Sequence, residues 1–155
     1  MRRAILLVTA MGAALLLASG VAYAAITCGG GYCQGTNNEN KIYGTSGSDE
    51  IYGRGGGDTI YGGEGQDRIW GDWHQWLDPG EPGSDTIYGG YGKDYLYGDE
   101  RTDTLKSGPG NDYIHAEMDG EMDHVDCGPG PEDVAFFDRR IDEVSNCEIR
   151  NPPVG

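Results

Sequence analysis

From residue 35 onward, single aliphatic residues recur at nine-residue spacing, each between two residues that favour extended backbone. Ile42, Ile51, Ile60, Ile69, Ile87, Leu96, Leu105 and Ile114 hold this place, in triplets such as Thr59-Ile60-Tyr61, Arg68-Ile69-Trp70 and Tyr95-Leu96-Tyr97. Side chains alternate along an extended chain, so the aliphatic residue faces one way and its neighbours the other. Three-residue strands are too short for a hairpin sheet. They suit a parallel stack in which each winding hydrogen-bonds to the next, with the aliphatic residues as one buried column.

Between the triplets the chain is polar and rich in glycine. In blocks of nine, Gly53–Tyr61 reads GRGGGDTIY, Gly62–Trp70 reads GGEGQDRIW and Gly89–Tyr97 reads GGYGKDYLY. Glycine at the first, second and fourth positions permits positive φ and close approach of neighbouring turns. The sixth position is aspartate. The frame starts in degenerate form at Gly35–Tyr43, where Asn40 stands sixth, and continues through Gly44–Tyr52. Gly80–Tyr88, Gly98–Lys106 and Ser107–His115 also fit. Gly71–Pro79 does not, because Trp76 replaces the aspartate and Asp78 the aliphatic residue; most of it reads as a loop inserted into one turn. After His115 the frame slips, yet Asp123-His124-Val125, Asp133-Val134 and Asp142-Glu143-Val144 echo it. Pro131, Phe136 and Phe137 point to a closing cap, since terminal repeats of a solenoid are atypical.

The first residues are of another kind. Arg2 and Arg3 give a positive start, Ala4 to Ala22 is almost wholly apolar, and Ala22-Tyr23-Ala24 is a small-x-small cleavage site. This predicts an export signal over 1–24, with the mature chain starting near Ala25. The apolar run is long enough for an uncleaved anchor, which is the less favoured reading. After cleavage no membrane insertion is expected. The remaining divisions are a cysteine-bracketed cap over 25–34, the repeat array over 35–115, and degenerate repeats with a cap over 116–155.

Charge narrows the partners. The formal net charge is −15, and losing Arg2 and Arg3 with the leader makes it more negative by two. Nucleic acid and anionic membrane both call for a basic surface, so neither is an expected partner. Cations are. The four cysteines, Cys28, Cys33, Cys127 and Cys147, lie after the leader, and export implies an oxidising compartment. Three pairings are possible. Sequence proximity favours Cys28 with Cys33 and Cys127 with Cys147. A zinc site is disfavoured, because no histidines stand at finger spacing.

One aspartate per turn makes a row of carboxylates at a single spacing, which calls for a cation among them. Carboxylate and carbonyl oxygens in irregular turns suit calcium better than magnesium, which demands a stricter octahedron. The blocks resemble the haemolysin-type, or RTX, nonapeptide GGxGxDxUx, a calcium-binding repeat. The likeness covers about Gly35 to His115 well and the tail loosely. It departs from the pattern at Asn40, Arg54, Glu100, Arg101 and Pro109. The resemblance implies an all-β parallel β-roll, with two nonapeptides per winding and calcium ions between turns stacked on the same edge. It assigns as ligands the carboxylates of Asp49, Asp58, Asp67, Asp85, Asp94, Asp103 and Asp112. It adds the backbone of the glycine turns at Gly53, Gly55, Gly62, Gly63, Gly65, Gly89, Gly90 and Gly92. The family usually appears as a tail on a larger toxin, protease or lipase, with a C-terminal export signal; here the signal is N-terminal and the repeats are nearly the whole mature chain.

The expected protein is therefore a secreted calcium-binding repeat protein that folds on loading, with structural or surface-associated work. It is not expected to be an enzyme: no GxSxG, HExxH or P-loop appears. His74, His115 and His124 are scattered and read as structural or solvated. Two alternatives remain. One is an adhesion module that binds glycan or a cell surface through an aromatic ladder of Tyr43, Tyr52, Tyr61, Trp70, Tyr88 and Tyr97, with Trp73 and Trp76 as a further anchor. Strand propensity and cross-strand stacking explain the same ladder more simply. Thr59, Thr86 and Thr104 do not form the regular row that an ice-like surface would select. The other alternative is a small secreted hydrolase on a roll scaffold.

Overall fold

A computed structural model of the chain describes residues 24–72, 80–117 and 119–150. The expected export signal, apart from its last residue, lies outside the described residues. So does the 73–79 segment with Trp73, His74 and Trp76.

All regular structure among the described residues is β-strand, in two parallel sheets. The first sheet holds β1 (Ala24–Thr27), β3 (Asn40–Tyr43), β5 (Thr59–Glu64), β7 (Thr86–Tyr91), β9 (Thr104–Lys106), β11 (His124–Asp126) and β13 (Glu143–Ser145), in that order. The second holds β2 (Tyr32–Gln34), β4 (Glu50–Arg54), β6 (Arg68–Asp72), β8 (Tyr95–Tyr97), β10 (Tyr113–Ala116), β12 (Val134–Phe137) and β14 (Ile149–Arg150), again in chain order. The chain alternates between the sheets, so one winding takes two nonapeptides, as the resemblance implied. Ile42 pairs with Ile60 and Ile51 with Ile69. The fold is the expected parallel β-roll.

The extra block is absorbed without disturbing register. Ile60 pairs with Ile87 and Ile69 with Leu96, as though nine residues were absent. The inserted loop therefore leaves and rejoins the roll at one turn between β6 and β7. The winding also continues past His115, through β11 to β14.

The eight aliphatic residues of the repeat are fully buried, at 0% exposure. They form two facing columns rather than the one expected, because alternate blocks belong to opposite sheets. Ile42, Ile60, Ile87 and Leu105 line the first sheet and are followed by Val125; Ile51, Ile69, Leu96 and Ile114 line the second and are followed by Ala135. Together they make one continuous core. Burying each isoleucine contributes about 1.5–3 kcal/mol. Disulfides Cys28–Cys33 and Cys127–Cys147 tie the two ends, the pairing that proximity favoured.

The aromatic residues also divide in two. On the first sheet Tyr43, Tyr61 and Tyr88 stack at 5.2 and 4.9 Å. On the second, Tyr52, Trp70, Tyr97, His115 and Phe136 stack at 4.5 to 5.1 Å, all within about 10° of parallel. His115 is thus a structural member of a ladder. The ring faces are turned to one another along the roll axis and are not offered outward as platforms, which supports the stacking explanation. The threonines correct the expectation. Thr59, Thr86 and Thr104 pair consecutively in register and do form a row. Their uneven sequence spacing comes from the inserted block alone.

Candidate metal centre: two carboxylate ladders

The turns between sheets stack along two edges of the roll. On one edge stand Asn40, Asp58, Asp85, Asp103, Asp123 and Asp142; on the other stand Asp49, Asp67, Asp94, Asp112, Asp133 and Glu148. Each aspartate from Asp58 onward uses Oδ1 to accept the backbone amide of its counterpart one winding earlier. These bonds run from 2.6 Å (Asp58 amide to Asp85) to 3.0 Å (Asp123 amide to Asp142). Asp49 Oδ1 likewise accepts the Gly31 amide at 2.9 Å. Glu148, longer by one methylene, closes the second edge by accepting the Asp133 amide at 3.1 Å.

The other oxygen is the informative one. Oδ2 of Asp58, Asp67, Asp85, Asp94, Asp103, Asp112, Asp123 and Asp133 is buried and has no hydrogen-bond partner. These residues are 0–2% exposed. A buried charged oxygen without a partner is costly, so each needs a proton or a cation. Burial, with Asp85 adding repulsion, pushes the Asp58 carboxyl up to about 9. Burial takes Asp103 to about 10 and Asp85, Asp94 and Asp123 to about 7, with neighbouring carboxylates adding to it.

Backbone carbonyls converge on the same places. A Cβ on Gly53 would stand 2.5 Å from Asp58 Oδ2 and against the Gly71 carbonyl of the next winding. On Gly62 it would stand 2.5 Å from Asp67 Oδ2 and against the Gly89 carbonyl; on Gly89 it would lie 2.7 Å from Asp94 Oδ2 and 2.6 Å from the Ser107 carbonyl. The Gly53 and Gly62 carbonyls in turn face the earlier turns of Asn40 and Asp49. Each of these three cradles thus joins one sixth-position carboxylate, one first-position carbonyl and the empty face of a glycine. Among the described residues no three carboxylate, imidazole or thiolate groups cluster at one point. The donor set is oxygen only, with few charges per step, which fits a hard, geometrically tolerant cation such as calcium.

The remaining expected glycines shape the turns. Gly63, Gly65, Gly90 and Gly92 have φ of 113°, 118°, 111° and 131°. Side chains there would strike the carbonyl of Thr45, the Gly47 backbone, and the carbonyls of Gly63 and Gly65. Gly55 instead packs against Gly80 and Glu81, where the inserted loop rejoins the roll. Arg54, Asp99 and Arg101 take left-handed φ of 86°, 73° and 83° where the pattern prefers glycine. Such a conformation costs a side-chain-bearing residue about 1–2 kcal/mol.

A sequence profile of the RTX calcium-binding nonapeptide repeat matches in four copies over residues 34–73, 80–100 and 97–119, more than half of the chain. The chain belongs to this family. No curated protein and no solved structure matches it. The gap between matched segments falls at the inserted loop, and the matches end at 119, where the roll still has windings to run. RTX repeats are structural calcium-binding units, generally without enzymatic activity of their own.

Two RTX turns differ from the rest. Asp49, expected as a ligand, has its Oδ2 engaged by Thr45, through the amide at 2.7 Å and the hydroxyl at 2.8 Å. Asn40 accepts the Thr36 amide at 2.6 Å in the same way. Threonine at the second position closes a turn from within. Conversely, Asp123 and Asp133 have the open geometry but were not among the expected ligands. Their only sequence signal was a carboxylate standing just before His124-Val125 and before Val134. Asp72, 1% exposed with a partnerless Oδ2, was hidden in the block read as a loop.

Proposed function

We propose that this is a secreted calcium-binding repeat protein whose roll winds up on binding several calcium ions, and that its work is structural or surface-associated. The row of buried, partnerless Oδ2 atoms on Asp58, Asp67, Asp85, Asp94, Asp103 and Asp112 carries the reading. In each turn the aspartate and the first-position carbonyl of the following winding would hold the ion. Bound calcium supplies the positive charge that offsets stacked carboxylates. Without it the ladders repel, against a core of one aliphatic residue per strand.

Magnitudes favour a folding switch. Extracellular calcium modules bind at roughly 10⁻⁴ to 10⁻³ M. With calcium at about ten times the dissociation constant, each site adds ~1.4 kcal/mol. Six such sites add ~8 kcal/mol, similar to the whole stability of a typical domain. Folding is then coupled to loading. The chain crosses the membrane unfolded and winds up outside, and its disulfides fit an extracellular home.

Calorimetric titration of the processed chain with calcium, with circular dichroism in calcium and in chelator, tests this. Millimolar uptake with a gain of β signal is expected. A roll fully formed in chelator overturns the folding switch, and no uptake overturns the calcium reading altogether.

A further inference from the structure

We propose that the outer face of the first sheet binds a neutral, extended polysaccharide of β-1,4-linked pyranose units, one sugar residue of which sits in a hollow at the C-terminal end of that face. This names a partner for the surface-associated work proposed above, and it rests on the wound roll, whatever ion winds it.

The hollow has a local cause. Strands β9, β11 and β13 pair in register, so Thr104, His124 and Glu143 form one outward row and Lys106, Asp126 and Ser145 a second. The second row continues the file of Tyr61 and Tyr88, but its side chains carry no ring. Where the tyrosine ladder stops, the surface drops. The two rows, with Val125 and Val144 between them as a floor, line an open hollow of about 240 Å³. That is small for a drug-sized ligand and suits one sugar ring.

The lining offers both donors and acceptors, as a polyol needs. Most of these groups are held in place. His124 Nδ1 lies 3.1 Å from Glu143 Oε2, which leaves Nε2 for a ligand. Asp126 Oδ1 accepts the Asn146 side-chain amide at 2.7 Å and the Gly128 amide at 3.2 Å, so its carboxylate is fixed. Ser145 Oγ donates to the Val125 carbonyl at 3.2 Å and keeps its lone pairs for a ligand hydroxyl. Lys106 Nζ stands over the Tyr88 ring, 5.7 Å from its centroid, at the border between ladder and hollow.

The rest of the face leads into the hollow. Thr59, Thr86 and Thr104 run in file beside Tyr61 and Tyr88, preceded by Lys41 and Tyr43. No carboxylate stands in these rows before β11, on a chain of net charge −15. A sugar chain lying along them desolvates no carboxylate. The stacked rings turn their faces to one another, so the threonine and phenol hydroxyls are what meet the ligand. They recur at the inter-strand spacing of about 4.7–4.9 Å, close to the advance per residue of an extended β-1,4-linked chain.

The test uses the full processed chain in saturating calcium, with its β signal checked by circular dichroism in the same sample. Cellohexaose is titrated by calorimetry beside maltohexaose, an α-1,4-linked, coiling chain of the same sugar. Cellohexaose is expected to bind, and maltohexaose to bind about tenfold more weakly or less. Lys106→Tyr extends the tyrosine ladder over the hollow, in a file that already holds Tyr61 and Tyr88. It should weaken cellohexaose binding about tenfold or more, as loss of a charge-assisted hydrogen bond does, and leave calcium uptake unchanged. Thr104→Val removes one hydroxyl at nearly equal volume and should weaken binding by a smaller factor. No cellohexaose binding by the wound chain, or undiminished binding by Lys106→Tyr, overturns the proposal. Equal binding of maltohexaose overturns the threonine track and the β-1,4 assignment with it. A chain that winds without taking up calcium sinks the calcium reading and leaves this test in force.

Discussion

Thr45 donates both its amide and its hydroxyl to one oxygen of Asp49, at 2.7 and 2.8 Å. That oxygen is the one left partnerless in the open turns of both ladders. A second-position threonine therefore gives this oxygen two hydrogen bonds that its counterparts in the open turns lack. The Gly62 carbonyl already faces this turn, so what keeps the cradle closed is the threonine.

Thr45→Gly should convert the closed turn into an open one. Calcium stoichiometry by calorimetry should rise by one equivalent over the parent. The calcium-free protein should lose about 0.5–1.5 kcal/mol, the worth of a lost hydrogen bond. Unchanged stoichiometry would mean that Asp49 is kept closed by something other than Thr45.

Burial and mutual repulsion raise Asp58, Asp67, Asp85, Asp94, Asp103, Asp112 and Asp123 from an ordinary 3.8 to values between about 6, for Asp67 and Asp112, and about 10, for Asp103. Across that window the calcium-free fold holds more protons than the unfolded chain. Its stability must therefore fall as pH rises through it and be greatest on the acid side. Calcium reverses the trend, because binding displaces those protons and its affinity grows with pH. Melting temperature against pH, in chelator and in saturating calcium, should give slopes of opposite sign. Parallel slopes would show that the carboxylates are not the loading groups.

Ile60→Ala removes one rung of the first aliphatic column, a residue with no exposed surface. The rigid turns on both sides hinder collapse into the gap. A loss of about 2–5 kcal/mol is expected in calcium-loaded denaturation experiments. A loss below 1 kcal/mol would mean that the core contributes little beside the metal.

Gly92 has φ of 131°, and its missing Cβ would strike the Gly65 carbonyl. Gly92→Ala should cost about 2 kcal/mol or more. Gly29→Ala, where a Cβ would meet nothing within 4 Å, should be close to neutral. Equal effects in thermal unfolding would contradict the stacked-turn geometry.

The nine-residue recurrence of one aliphatic residue and one aspartate determined the roll, its strands and most of its ladders, since those features repeat within the covalent chain. Ile60 is buried because its neighbours are extended, and Asp58 lies in a turn because glycines surround it; both follow from local backbone preference. The tertiary structure decided which residues become neighbours. It split one expected column into two, aligned Thr59 with Thr86 across an inserted loop, and carried the ladders on to Asp123 and Asp133 beyond the recognisable repeats. It also decided which carboxylate oxygens find a donor, closing Asp49 through Thr45 and leaving Asp58 open. The Oδ1 oxygens are satisfied by amides that the adjacent winding brings, which no single nonapeptide carries; Oδ2 of Asp49 is closed by Thr45 of its own block, a contact that only the folded turn makes.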